Sequence, residues 1–249
     1  MLAKRIITTL MLKDGVLFRS KKFLPDYRYT LNFVDMWSVD ELVLIDISRN
    51  LIFDDPKKKI FLNQMKKISK NAYIPITAGG GIRKLKDIEI LLKNGADKIM
   101  LNAAAIQNPE IIDSAAREFG SQCIVVCVDV KYEDNRYFLM EEYGQKKSEI
   151  NLIEYIKTIQ EKNAGEVFLQ SINQDGSLTG YDVNLLEFLK SYINIPTIIS
   201  CGAGNWNHVE EVLKKDYVSA ASLTNIFHFT EKSIKNLKNH IKGSVYIRQ

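Results

Sequence analysis

The stretch "IPITAGGGI", residues 74–82, returns in the second half of the chain as "IPTIISCGA", residues 195–203. Each is a short apolar run opened by Ile-Pro and closed by small residues. That pattern reads as a buried strand running into a tight turn. Three further pairs repeat in the same order. "DELVLIDIS" (40–48) is echoed by "GEVFLQSIN" (165–173), and "DKIMLNAA" (97–104) more faintly by "SAASLTNI" (219–226). The fourth pair is "ITTLMLKDGV" (7–16) with "VVCVDVKYED" (125–134), each read as a buried strand followed by a charged loop. Leu10-Met11-Leu12-Lys13 registers on Val128-Asp129-Val130-Lys131, so the two strand ends match except that one carries an acid and the other a thioether.

Working outward, β-branched runs read as strands at "RIITTLML", "ELVLIDI", "IPITAG", "DKIMLN", "CIVVCVDV", "EVFLQSI", "IPTIIS" and "YVSAASL". Helical patterns lie between most of them, as in 85–95, 109–120 and 151–165, with glycine near several helix ends suiting a left-handed cap. Strands apolar on both faces and separated by helices imply a parallel sheet covered by helices. Both a (β/α)8 TIM barrel and a doubly wound open sheet satisfy this. The echoes match each strand n to strand n+4, which two four-unit halves closing into one barrel explain. The expected organisation is α/β, a single domain over 1–249 without a linker, with half-barrels of about 1–120 and 121–249.

With 249 residues, 46% of them hydrophobic, the chain supports a sizeable core. No apolar run reaches membrane-spanning length. Lys13-Asp14 interrupts the apolar N-terminus and no small-residue cleavage site follows, so a buried first strand is expected there rather than a signal peptide. Cys123, Cys127 and Cys201 lack metal-ligand spacing and read as reduced thiols of a cytoplasmic protein. The scattered His208, His228 and His240 make no zinc pattern. A net charge of +4 suits anionic metabolites, and its dispersal argues against nucleic acid. No metal and no cofactor are expected.

In such barrels the active site lies at the C-terminal ends of the strands. Those ends carry Met11, Asp46, Gly79-Gly80-Gly81, Asn102, Asp129, Ser171 to Ser177, Cys201 to Gly204, and Thr224-Asn225. Glycines between a strand and a helix let backbone N–H groups approach a phosphate. A lone Gly79-Gly80-Gly81 would read as a tight turn. Its echo in Gly202-Ala203-Gly204, with Asn102 and Asn225 ending neighbouring strands, points to two phosphate cradles related by the half-barrel symmetry. In "NQDGS" (173–177), Asp175-Gly176 reads either as an ordinary turn or, with Ser177, as further phosphate ligands. At the opposite ends of the strands, Arg5, Glu41, Lys98 and Glu166 project toward the bottom of the axis. Taken alone, they read as a salt-bridged plug.

Together, "MLAKRII", "DELVLIDI", "GGGI", "GADKIMLN", "VVCVDVK", "NAGEVFLQSINQDGSLTGYD" and "IFHF" (226–229) resemble the cyclase subunit of imidazole glycerol phosphate synthase, in order and over nearly the whole chain. The resemblance implies a (β/α)8 barrel bound at its N-terminal face to a glutaminase subunit, a class I glutamine amidotransferase. Ammonia made by that partner travels along the barrel axis to a phosphorylated small-molecule substrate. It also implies that Arg5, Glu41, Lys98 and Glu166 form the ammonia gate, replacing the passive plug, and that Asp97 belongs to the partner interface. Gly79, Gly80, Gly81 and Asn102 fall on the first phosphate site, and Asp175, Gly176 and Gly202 on parts of the second.

The reacting end departs from the family. Its cyclases use an aspartate at the end of strand one and another at the end of strand five. Here the second is Asp129 and the first is Met11, which has no titratable proton. A lysine of the first loop is Arg19, and that loop is about five residues shorter than usual. A serine is Met100, two threonines are Ala103 and Gln170, a glycine of the second cradle is Cys201, and an Ala-Ser pair is Thr224-Asn225. A kept tunnel under a rebuilt substrate end resembles the second-copy paralogues of surface-sugar loci. In those, ammonia converts an acetamido group to an acetamidino group, often with a separate sugar amidotransferase. Two other readings stand beside this one: a histidine-pathway cyclase with an altered acid, and a non-catalytic conduit that activates the glutaminase.

Overall fold

The computed structural model describes residues 3–29, 38–48, 53–224 and 234–248. Its strands are β1 (Arg5–Lys13), β2 (Val16–Lys21), β3 (Leu24–Tyr29), β4 (Glu41–Asp46), β5 (Ile76–Gly79), β6 (Lys98–Leu101), β7 (Ile124–Glu133), β8 (Arg136–Glu141), β9 (Lys146–Lys147), β10 (Glu166–Ser171), β11 (Thr197–Ser200) and β12 (Ala220–Leu223). Eight of them pair in parallel in the order β1, β4, β5, β6, β7, β10, β11, β12. The last returns to the first with Arg5↔Ala220 through Thr8↔Leu223 in register. This closure excludes the open sheet and leaves no edge in the barrel.

Helices cover the outside: α1 (Pro56–Asn71), α2 (Leu85–Lys93), the short α3 (Ala103–Gln107), α4 (Glu110–Phe119), α5 (Leu152–Glu161), α6 (Val183–Leu189), α7 (Trp206–Leu213) and α8 (Ile234–Ile241). Their starts are written locally. Asp55 caps α1 through Lys57 N with Pro56 in the first turn, and Asn151 caps α5 through Ile153 N. Gly95 (φ 102°) and Gly120 (φ 91°) follow α2 and α4 as expected, whereas Asn163 (φ 63°), not Gly165, takes the left-handed position after α5. Asparagine tolerates that region because its short side chain bonds locally. None of these helices is long and apolar enough to cross a membrane.

The strands bury both faces for two different reasons. Outward residues such as Ile6, Leu42, Leu44 and Ile99 pack with Phe61, Met65, Ile88, Leu91 and Ile156 of the helices. Inward residues Ile7, Val43, Met100, Val125, Cys127, Phe168, Ile198 and Ala220 form a second, separate cluster inside the barrel. Each fully buried Leu, Ile or Phe contributes roughly 1.5–3 kcal/mol, so both layers hold the barrel closed.

One expectation is corrected. The segments after strands one and five are hairpins, not loops. β1 runs past the barrel into β2 through Asp14-Gly15, and β7 runs into β8 through Asp134-Asn135, all four residues at positive φ. Two central residues with positive φ make the tight turn whose twist matches paired strands. The half-barrel repeat therefore extends into these two antiparallel arms, and both stand over the C-terminal ends of the strands.

Candidate functional site

At the bottom of the axis the four charges of strands β1, β4, β6 and β10 close into a ring of alternating sign. Arg5 Nη1 donates to Glu41 Oε1 (2.8 Å), and Arg5 makes two bonds to Glu166 (3.0 and 3.1 Å). Lys98 Nζ stands 3.2 Å from Glu41 Oε2 and 2.9 Å from Glu166 Oε1. Each cation thus touches both anions, and their side chains are only 4–16% exposed. Burial opposes ionisation of Glu166, but Arg5 and Lys98 outweigh it and hold the carboxyl below its usual range. Burial likewise works against the Arg5 charge, and Glu166 and Glu41 overcome it. Asp97 lies beside the ring with its residue exposed and its carboxylate accepting from Ile76 N at 2.8 Å. Above the ring, Phe168 and the other inward apolar side chains fill the axis.

At the top lies a cavity of about 1380 Å³, lined among others by Met11, Asp129, Asn102, Gly80 and Cys201. Asp129, 6% exposed, accepts from Asn102 Nδ2 at 2.9 Å, and Cys127 Sγ lies 3.5 Å from its other oxygen. Burial dominates and raises its pKa to about 6, partly countered by those two bonds. A carboxyl in that range can take or give a proton near neutral pH. The thiols of Cys127 and Cys201 are pushed well up, first by burial and then by neighbouring carboxylates. They are neutral hydrogen-bonding groups here, not nucleophiles. Met11 offers its sulfur to the Ser20 hydroxyl at 3.7 Å.

Gly80 and Gly81 turn the chain at φ 103° and 72°, and both line the cavity. A Cβ at Gly80 would meet Asp46 O at 2.1 Å, so only glycine fits. Gly79 instead packs on the barrel wall, against Met100 and Ile45. Behind the turn, Lys58 of α1 is 1% exposed; its Nζ donates to Asp46 Oδ2 (3.0 Å) and to Gly80 O (2.6 Å). Burial lowers its pKa, against the pull of Asp46. On the far side, Asp87 accepts from Arg83 N and Lys84 N. The turn is thus held from both flanks, with Lys57, Arg83, Lys84 and Asn102 along the cavity wall.

Around the second turn, Gly202 (φ 101°) and Thr224 line the cavity, the Thr224 hydroxyl donating to Thr9 O at 3.2 Å. Gly204 N donates to His208 Nδ1 (3.2 Å), and the Ser177 hydroxyl bonds Gln174 (3.0 Å) and lies outside the cavity lining. Asn225 lies outside the described residues. Asp175, 8% exposed, accepts from Ser20 Oγ (3.0 Å) and Phe23 N (2.9 Å), so it latches the first hairpin to the loop after β10. Burial raises its pKa. Gly176 packs against Ser20 and Lys21 in the same contact. Arg19 points along the hairpin to Asp26 (3.0 Å) and is not brought to the cavity. Lys58, Lys57, Ser20, Cys127 and His208 escape a reading by composition. "PKKK" at 56–59 looks like a solvated face, although three lysines in the first turn of a helix oppose its dipole, which is the local signal that was available.

Known proteins bear on this arrangement directly. The model of the histidine biosynthesis protein family matches residues 5–233. The chain is 38% identical to the imidazole glycerol phosphate synthase subunit HisF of an Exiguobacterium species, covering 98% of this chain and 95% of the relative. It is 37% identical to the subunit so named from a Hydrogenobaculum species, over all of both chains. The Natranaerobius thermophilus relative of the same name is 39% identical, over 97% of this chain and 96% of its own length. From the closed barrel, the charged ring and these full-length matches it follows that the chain belongs to the histidine biosynthesis protein family, among its cyclase-subunit barrels.

Proposed function

We propose that this barrel receives ammonia from a glutaminase partner and delivers it, through the ring of Arg5, Glu41, Lys98 and Glu166, to a phosphorylated acceptor in the upper cavity. The observation that carries the reading is the ring itself. Four largely buried charges converging on an axis are costly even when paired, and the packed inward side chains of the axis are apolar. A passage opening between those side chains would admit neutral ammonia, whereas ammonium would lose its hydration there.

At the mouth, Gly80, Gly81 and Asn102 hold phosphate at one side, and the turn of Gly202 with Asp175, Gly176 and Thr224 faces it across the cavity. Ammonia reaching Asp129 adds to the amide carbonyl carbon of the acceptor; the carboxylate takes the protons that the nitrogen sheds and passes them to the former carbonyl oxygen, which leaves as water as the C=N bond forms. Met11 can give or take no proton, so a second proton transfer of the kind needed to close an imidazole ring lacks its partner. We infer that the acceptor is a sugar derivative undergoing amidation, with a separate sugar amidotransferase as a further partner, in the cytoplasm.

A second reading is a histidine-pathway cyclase, and the relatives' printed name over the full length favours it. Complementation of a histidine auxotroph lacking its cyclase separates the two. Growth at the normal rate supports the cyclase; failure, with the protein present and folded, supports sugar amidation.

A further inference from the structure

We infer that the acceptor carries one phosphate, seated at Gly80-Gly81, and that the symmetric turn at Cys201-Gly202 is closed to a second. The inference rests on the reading of a phosphorylated acceptor given above and narrows it.

The repeat registers Gly80 on Cys201 and Gly81 on Gly202. Both turns demand the left-handed region: φ is 103° at Gly80 and 75° at Cys201. Cysteine is the wrong residue for that backbone, since a Cβ crowds the neighbouring carbonyl. The chain nevertheless keeps a side chain there, and such strain persists where the surroundings over-determine it. Cys201 lines the cavity, with its thiol 4.0 Å from the Ser200 hydroxyl. It therefore occupies the space that an anion would need against this turn.

Charge separates the two turns in the same direction. Lys57, Arg83 and Lys84 stand along the cavity wall at the first, and the Lys58 ammonium lies behind it, bonded to Gly80 O. Among the described residues, no lysine or arginine neighbours Cys201, Gly202 and Ala203 in sequence, as Arg83 and Lys84 neighbour the first turn. The Asp175 carboxylate, fixed by Ser20 and Phe23 N, acts on Cys201 instead. Amide capping does not distinguish them. Arg83 N is taken by Asp87 in one turn, and Gly204 N by His208 in the other. The asymmetry is carried by the cysteine and the charges. A phosphate dianion is attracted to the first turn and repelled, sterically and electrostatically, from the second.

The test is calorimetric titration of the full-length protein with a matched pair of probes, ribose 5-phosphate and ribulose 1,5-bisphosphate. The two should bind with affinities within about threefold of each other. Cys201→Gly, which suits the backbone and empties the turn, should tighten the bisphosphate by about tenfold and leave the monophosphate unchanged. A bisphosphate that binds the unmodified protein about tenfold or more tightly than the monophosphate overturns the inference. So does a Cys201→Gly protein that shows no gain. Failure of both probes and of millimolar inorganic phosphate to bind would remove the phosphorylated-acceptor reading itself.

Discussion

Arg5 grips Glu166 through two parallel hydrogen bonds, 3.0 Å between Nη1 and Oε1 and 3.1 Å between Nη2 and Oε2. The pair spans the barrel floor from β1 to β10, and Glu41 and Lys98 complete the neutral ring. Removing one anion leaves two buried cations sharing one partner. Glu166→Gln should therefore destabilise the barrel by about 2–4 kcal/mol. Lys98→Ala leaves the two carboxylates sharing Arg5 alone and should cost a similar amount, with the barrel still folded because no large apolar cavity forms. Urea denaturation of the two variants checks this; the absence of a loss in either would mean that the ring is not held as a unit.

Asp129 makes stability depend on pH in a defined direction. Its pKa rises from 3.8 to about 6 on folding, so between those values the native state binds more protons than the unfolded one and stability falls as pH rises. Held ionised at pH 8, the buried carboxylate costs about 3 kcal/mol, nearly all of it relieved below pH 4. Asp129→Asn keeps an acceptor for Asn102 and should be more stable than the parent at pH 8 by up to that amount, with little difference at pH 4. A gain independent of pH would show that burial does not raise this group. The same variant should lose about 10²–10⁴-fold of ammonia-dependent activity.

Met11→Asp should not restore histidine-pathway cyclase activity in the complementation strain. The new acid would stand by Ser20, which already donates to Asp175, and Cys201, Gln170 and Thr224 would still differ. Two carboxylates sharing that hydroxyl would raise each other's pKa. Full rescue by the single change would mean that the rest of the mouth is still a cyclase site.

Lys58 is the support of the first glycine turn. Lys58→Met leaves Asp46 buried without its cation and frees Gly80 O, and should cost about 3–5 kcal/mol. Adding Asp46→Leu removes the unpaired charge and should recover most of the loss, while phosphate binding stays weak because the turn is no longer held. Denaturation together with phosphate titration of both variants checks it. Phosphate affinity restored along with stability would reduce Lys58 to a packing role.

The barrel was legible in the order of the echoes because each buried strand must be apolar on both faces, and its companion in the other half must meet the same demand. The ring was legible only through the resemblance: Arg5, Glu41, Lys98 and Glu166 taken alone fit a passive plug equally well. Asp14-Gly15 announced its hairpin, since Asp-Gly between alternating residues is a turn signal, but Asp134-Asn135 is weaker and both segments passed as loops. Lys58 was hidden because one lysine in a run of three gives no sign that a strand-end Asp46 buries it. The latch of Asp175 onto Ser20 and Phe23 N joins segments far apart in the chain, and no local pattern encodes such a contact.

Delivery of ammonia through the floor of the barrel is tested most directly by mixing the purified protein with the glutaminase encoded beside it. Size-exclusion chromatography and glutamate release are then measured with and without the barrel. A stable 1:1 complex and stimulation of a glutaminase that is nearly idle alone are expected. Lys98→Ala should keep the complex and uncouple glutamate release from consumption of ammonia at the mouth. No co-elution and no stimulation at micromolar concentrations of both proteins would contradict the account and leave Arg5, Glu41, Lys98 and Glu166 as a structural plug.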